Sequence, residues 1–199
     1  MKKPEKLTLA TRNSHKVQEI KEILSSLALL TESAPENLPE IIEDGSTFLE
    51  NAKKKAIEIS QMIPGLVMSD DSGLEVDYLD GKPGVYSARF AGHNSTDAEN
   101  INKLLYLMEN VKWEERTSKF TCVIALAQEG TVIQTFEGTC EGFILSEPRG
   151  TSGFGYDPVF YYPPYKQSFG EISASRKNLV SHRNAALILL EQFLSSFLS

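Results

Sequence analysis

Two adjacent aspartates, Asp70 and Asp71, follow a short apolar stretch and precede Ser72-Gly73. Neighbouring side chains on an extended backbone point to opposite faces, so the pair serves two tasks. One carboxylate can coordinate Mg2+ or hold a water while the other supports the loop. Mg2+ suits such a pair because it takes few carboxylates and completes its shell with water and substrate phosphates. The same residues also make an ordinary Asp-Ser-Gly turn. A second constellation is Thr11, Arg12, Asn13, Ser14, His15 and Lys16, where a predicted strand meets a helix N-terminus. Unpaired N–H groups and the helix dipole favour an anion there. Asn13 can donate to a phosphate oxygen, and Lys16 can reach the same place as a point charge. A Walker A loop is excluded, because its glycines and Gly-Lys-Ser/Thr are absent. The alternative use is a helix cap followed by a solvated lysine.

Four further groups carry chemistry less directly. Glu40, Glu43 and Asp44 form an acidic stretch that could share a metal with the aspartates or lie in solvent. Of Lys53, Lys54 and Lys55, only one or two can point one way, because consecutive helical residues diverge by about 100°. Gly150 to Pro158 spends three glycines, which let backbone approach a ligand closely. Phe154 there could stack on a flat base, with Asp157 or backbone groups reading its edge, or the aromatics fill core. Arg176-Lys177 and Ser181-His182-Arg183 complete the set. His182 and Arg183 would oppose the dipole of a last helix unless an anion or acceptor is near. Serine hydrolase chemistry has little support: there is no GxSxG elbow, and none of His15, His93 and His182 sits in a recognisable triad motif.

The elements that must position these residues follow from periodicity. Leu7–Ala10 reads as a strand, and Asn13-Ser14 caps a helix with Val17, Ile20, Leu24 and Leu27 on one face. Residues 31–45 read as loop. Thr47 to Glu50 is a capping box opening a helix to about Met62, with Phe48, Ala52, Ala56 and Ile59 inward. Leu66–Ser69 and Leu74–Leu79 read as two short strands. Thr96 to Glu99 is a second capping box, before Ile101, Leu104, Leu105 and Met108. Phe120–Ala127 and Thr131–Glu137 alternate around Glu129-Gly130 as a hairpin, with Gly142–Leu145 as a third strand. The stretch 148–165 reads as an ordered loop. Ser181 caps a last helix with Leu187, Leu190, Leu194 and Phe197 inward. This order predicts an α/β fold with a mixed sheet. No linker divides the chain, so 1–199 reads as a single domain.

Composition narrows the partners. The 199 residues carry 20 Lys+Arg against 27 Asp+Glu, a net charge of −7. That balance argues against a basic face for nucleic acid and against a polybasic membrane patch, while leaving room for a locally positive pocket. No apolar run approaches the ~20 residues of a membrane span. Cys122 and Cys140 lack a CxxC spacing and read as buried free thiols in a reducing cytosol.

Taken together, these segments resemble the inosine triphosphate pyrophosphatase family. The matching residues are Thr11-x-Asn13-x-x-Lys16, Glu43-x-Gly45-x-Thr47-Phe48-x-Glu50-Asn51-Ala52, Asp70-Asp71-Ser72-Gly73-Leu74, Pro83 to Arg89, Gly153 to Pro158 and Ser181-His182-Arg183. They stand in the family's order over residues 9–187. The resemblance implies an elongated α/β fold of two lobes with the active site in the cleft between them. It implies Mg2+-dependent hydrolysis of ITP, dITP and XTP to monophosphate and pyrophosphate, by a cytoplasmic homodimer. Carried over by position, the segment from Thr11 through Arg12, Asn13, Ser14 and His15 to Lys16 binds the triphosphate, assisted by Lys55 and Ser72. Glu43 and Asp71 are metal ligands, and Asp71 is the general base. Phe154, Gly155, Tyr156 and Asp157, with Lys177, His182 and Arg183, hold the base. Arg12 departs from the pattern, since many members have a small residue there. It restrains the phosphate loop or adds a phosphate contact. The competing readings are a nucleotide sensor that binds without turnover and a pyrophosphatase acting on modified pyrimidines.

Overall fold

The computed structural model describes residues 6–26 and 30–197. Its elements are β1 (Lys6–Leu9), α1 (Ser14–Ile23), β2 (Leu30–Ser33), α2 (Phe48–Met62), β3 (Leu66–Val76), α3 (Asp97–Leu107), β4 (Thr117–Gln128), β5 (Thr131–Ile144), β6 (Phe160–Tyr162), β7 (Gln167–Ser168), α4 (Ala174–Asn178) and α5 (His182–Phe197). The strands form a mixed sheet in the order β2-β1-β3-β4-β5-β6-β7. β1 runs parallel to β2 and β3, pairing Leu7 with Thr31 and with Leu66. β6 runs antiparallel to β5 and β7.

Several expectations need correction. The stretch 31–45 is not all loop, because Thr31–Ser33 pairs with β1 as a strand that apolar periodicity does not reveal. Leu66–Ser69 and Leu74–Leu79 are not two strands. β3 runs unbroken to Val76, so Asp70 to Gly73 lie within a strand and make no turn. Likewise Gly142–Ile144 continues β5. The 148–165 stretch contains β6. Thr47 accepts from the Glu50 N–H as the box requires, but the Glu50 carboxylate returns to Ser46, taking its N–H and hydroxyl at 2.7 Å each. Phe197 is 38% exposed and stacks on Phe193 instead of turning inward. Leu27 lies outside the described residues.

The chain packs as two compact units. The first comprises Met1–Asp71, Cys122–Gly138 and Arg183–Ser199, and the second Ser72–Thr121 and Thr139–His182. In the first, Leu7, Leu9, Ile20, Leu66, Met68, Ile124, Leu126, Leu187, Leu190 and Leu194 form the core. The last helix thus buries the three leucines of the stripe its spacing predicts, and each fully buried leucine contributes about 2 kcal/mol. In the second, Leu74, Val76, Leu104, Met108, Phe120, Phe160 and Phe169 do the same. There the buried Arg116 guanidinium donates to the Val111, Met108 and Leu145 carbonyls.

Candidate active site

The first unit assembles a charged cluster where β1 and β3 meet their helices. β1 hands over to α1 through Asn13, whose Oδ1 accepts from the N–H groups of His15 at 3.0 Å and Lys16 at 3.2 Å. The cap therefore uses two of the amides counted as anion donors, and Asn13 Nδ2 is the group that can donate to a phosphate. The cap also starts α1 in the register that turns Lys16 inward. Lys16 Nζ lies 2.5 Å from Asp70 Oδ1 and 3.5 Å from the Asp70 carbonyl oxygen. From α2, Lys55 Nζ reaches the same carbonyl oxygen at 3.0 Å and pairs with Glu43. Two ammonium groups from different helices thus converge on one backbone oxygen, beside which Asp71 begins.

The two aspartates divide as strand alternation requires. Asp70 is buried. Its Oδ2 accepts from Arg183 Nε at 2.8 Å and from the Cys122 thiol at 3.1 Å, and Arg183 pairs in turn with Glu19. Burial alone would raise its pKa, but Arg183 and Lys16 hold it well below the carboxylate range. Lys16 is pushed down by burial and raised by Asp70, with a net rise. Asp71 behaves in the opposite way. Burial pushes its pKa up to about 6; Glu43 adds to the rise, while Lys16, Lys55 and the neighbouring Asn51 side chain oppose it. Asn51 is oriented by the Gly45 N–H, which donates to its Oδ1 at 2.7 Å. A desolvated carboxylate that titrates near neutrality, flanked by cations and by a second carboxylate, is the signature of a proton acceptor or cation ligand.

Among the described residues, no group of three or more His, Cys, Asp and Glu could hold a metal. Glu43 and Asp71 form a two-carboxylate set. Their repulsion, together with the burial of Asp71, is what a divalent cation relieves, and Mg2+ uses such small sets alongside substrate oxygens.

The second unit carries the loop predicted to hold a base. Asp157 Oδ2 accepts from the Phe154 N–H at 2.9 Å and from Lys177 Nζ at 2.7 Å. Lys177 is 2% exposed and its ammonium lies 4.6 Å from the Phe154 ring centroid. A Cβ at Gly153 would sit 2.0 Å from Asp157 Oδ2, so only glycine permits this closure. The Gly155 N–H donates to Asp97 at 2.6 Å, and the Tyr156 hydroxyl to the Ser87 carbonyl at 2.9 Å. His182 is buried and stacks on Phe120 at 4.8 Å. Half-buried Phe154 thus stands on a base of Lys177 and Asp157, with its ring cushioned on the ammonium.

Of the residues singled out from sequence, Lys16, Lys55, Glu43 and Asp71 come together, and Phe154, Asp157 and Lys177 form a second set. Thr11 accepts from the Asn13 N–H at 3.2 Å, while Ser14 and His15 lie exposed on the first turn of α1. Two residues are engaged by other protein groups. Arg12 donates to the carbonyls of Glu36 and Leu38, which makes it a restraint on the loop that leads to Glu43. Arg183 is spent on Asp70 and Glu19. Its conflict with the helix dipole is thus answered by two carboxylates, as a sequence conflict of that kind demands. Sequence reasoning missed Glu19 and Asp97. Glu19 was visible as an acid beside the apolar stripe of α1, whereas Asp97 carried no signal beyond helix capping. A hollow of about 730 Å3 along α1 is lined by Thr11, Arg12, Ser14, Val17, Gln18, Lys21, Glu22, Ser33, Ala34 and Glu36. Asn13, Lys16 and Asp71 are not part of that lining.

Residues 7–193 match the Ham1 family. A dITP/XTP pyrophosphatase of Desulforamulus reducens is 50% identical over 184 residues, 92% of each chain. One of Geobacter sulfurreducens is 50% identical over 192 residues, 95% of this chain and 96% of that one. Among solved structures, a HAM1 protein from Coxiella burnetii aligns with a TM-score of 0.88 at 40% identity, covering 96% of this chain and 98% of its own. The Staphylococcus aureus Ham1 protein aligns with a TM-score of 0.86 at 37% identity, with the same coverage. With the two motif sets folded as described and the match running through nearly the whole chain, this protein belongs to the Ham1 family.

Proposed function

We propose that this chain is a nucleoside-triphosphate pyrophosphatase that hydrolyses ITP, dITP and XTP to the monophosphate and pyrophosphate. The single observation that carries the mechanism is the convergence of Lys16 and Lys55 on the Asp70 carbonyl, next to a buried Asp71 with its pKa raised to about 6. A polyanion laid against those ammonium groups brings a phosphorus beside a carboxylate that is ready to accept a proton.

In this reading Asp71 orients the attacking water and takes its proton onto a carboxylate oxygen, at a pKa near the working pH. Lys16, Lys55 and Asn13 Nδ2 hold the phosphate oxygens and offset the negative charge that develops on the departing pyrophosphate. Thr11, Ser14, His15 and Ser72 complete the phosphate contacts. Glu43 and Asp71 would hold Mg2+, which supplies charge neutralisation when bound. Phe154 offers its ring to the purine, and Gly155, Tyr156, Asp157, Lys177 and His182 fix where that ring stands. Donors there favour a 6-oxo purine and leave the amine of adenine without an acceptor. Arg183 acts through Asp70, which makes it a positioning residue.

The family resemblance supports a homodimer at work in the cytoplasm. Among the described residues no helix is long and apolar enough to cross a membrane. We also propose that residues 1–199 work as one domain, because the chain passes between the two units inside β3, β4 and β5. Assaying pyrophosphate release from ITP, dITP, XTP, GTP and ATP with Mg2+ tests the reading. Rates for the first three well above the last two are expected, and equal rates across the panel would refute the substrate assignment.

A further inference from the structure

The segment Pro83 to Arg89 belongs to the matching motifs. It forms a 3-10 turn over Gly84–Arg89. The Ser87 hydroxyl donates to the Gly84 carbonyl at 2.7 Å and accepts from the Leu74 N–H at 2.9 Å. The turn lies so close to β3 that a Cβ on Gly73 would meet Ser87 Oγ at 2.3 Å and the Gly84 carbonyl oxygen at 2.6 Å. Gly73 has an ordinary backbone conformation, so close approach alone explains its lack of a side chain.

The same turn is tied to two other places in this unit. Asn100 of α3 accepts from the Ala91 N–H at 2.7 Å and donates to the Ala88 carbonyl at 3.2 Å. Tyr156 donates to the Ser87 carbonyl, and Asp97, in the first turn of α3, accepts from the Gly155 N–H. The 153–157 loop is therefore pinned by α3 and by the turn, and the turn is pinned to the strand residues that follow Asp71. Asp97 is exposed, and its bond joins residues far apart in sequence. The contact is 2.6 Å long, a close tie for a solvent-facing group.

We propose that Asp97 is a specificity-determining positioning residue, one that fixes the stance of Phe154 through the Gly155 amide without touching the nucleotide. This rests on the reading of the 153–157 loop as the base-holding element. Ring stacking tolerates small errors of placement, but edge-on hydrogen bonds to a 6-oxo group do not. Loosening the loop should therefore weaken purine recognition more than it weakens the chemical step.

The test compares wild type, Asp97→Ala and Asp97→Asn on ITP and ATP with Mg2+, reading kcat and KM separately alongside Tm. Wild-type release of pyrophosphate from ITP establishes the underlying reading, and its absence would overturn that reading and this inference together. Given wild-type activity, Asp97→Ala should raise KM for ITP about tenfold with kcat within about threefold, and narrow the ITP-over-ATP ratio several-fold. Asp97→Asn, which keeps an acceptor oxygen, should restore most of both. An unchanged KM and ratio in Asp97→Ala would overturn the inference alone. So would a fall confined to kcat, or a loss that only tracks Tm.

Discussion

At the scale of single residues, the two aspartates are held in opposite electrostatic states by surroundings a few ångströms apart. Asp70 is stabilised as a buried anion by Arg183 and Lys16, whereas Asp71 is destabilised as one by burial and by Glu43. The consequences separate cleanly. Asp71→Asn should lower turnover of ITP by about a thousandfold or more while nucleotide binding stays measurable. Its effect on stability has the opposite sign. A carboxyl with a folded-state pKa near 6 and an unfolded one near 3.8 binds its proton more readily in the native state. Its ionisation therefore costs stability above pH 6, and the cost disappears as the pH falls towards 4. In metal-free urea denaturation at pH 7.5, Asp71→Asn should be more stable than wild type by up to about 3 kcal/mol, with the gap shrinking by pH 4. A less stable variant at pH 7.5 would contradict this assignment. Arg183→Ala should do the reverse and cost about 3–5 kcal/mol, because Glu19 loses its buried cation and buried Asp70 keeps Lys16 alone. A loss under 1 kcal/mol in the same measurement would show that the pair does not brace the cluster.

At the scale of elements, β3 is the decisive piece. Its apolar start and its Asp-Asp-Ser-Gly middle form one continuous strand, so the aspartates gain a strand's alternation and rigidity. Sequence reasoning placed turn residues there because Asp, Ser and Gly are turn formers by propensity. It could not see that Gly73 is needed for packing against the 84–89 turn. Gly73→Ala should therefore destabilise by about 1–3 kcal/mol through overpacking, visible as a lower urea midpoint, despite its undemanding backbone conformation. A neutral substitution would mean the turn can yield. The helices were more legible. The caps at Asn13, Thr47 and Thr96 and the stripes of α2 and α5 were plain in the spacing, because capping and apolar periodicity are local signals. β2 was not, since a short strand on the edge of a sheet is defined by its neighbour. Both cysteines sit on strands, and burial pushes Cys140 up to about 12 and Cys122 well above the ordinary thiol range. Neither should react with a disulfide reagent at pH 8 until urea unfolds the chain, and rapid titration of a native thiol would contradict their burial.

At the scale of the whole molecule, a net charge of −7 coexists with cations spent on particular anions. Lys16 and Arg183 face Asp70, Lys55 faces Glu43, and Lys177 faces Asp157. Which charged residues to single out was readable from motif order. Which partner each one takes was not, because Arg183 and Asp70 lie 113 residues apart and only the fold joins them. In the proposed reading Arg183 and Arg12 act as positioning residues around a chemical centre of Lys16, Lys55, Glu43 and Asp71. The most direct test of that centre is the product of a single substrate. ITP incubated with the wild-type protein and Mg2+ should yield IMP and pyrophosphate in equal amounts, with the Asp71→Asn protein yielding neither. Release of IDP and orthophosphate, or binding of ITP without products, would contradict the account.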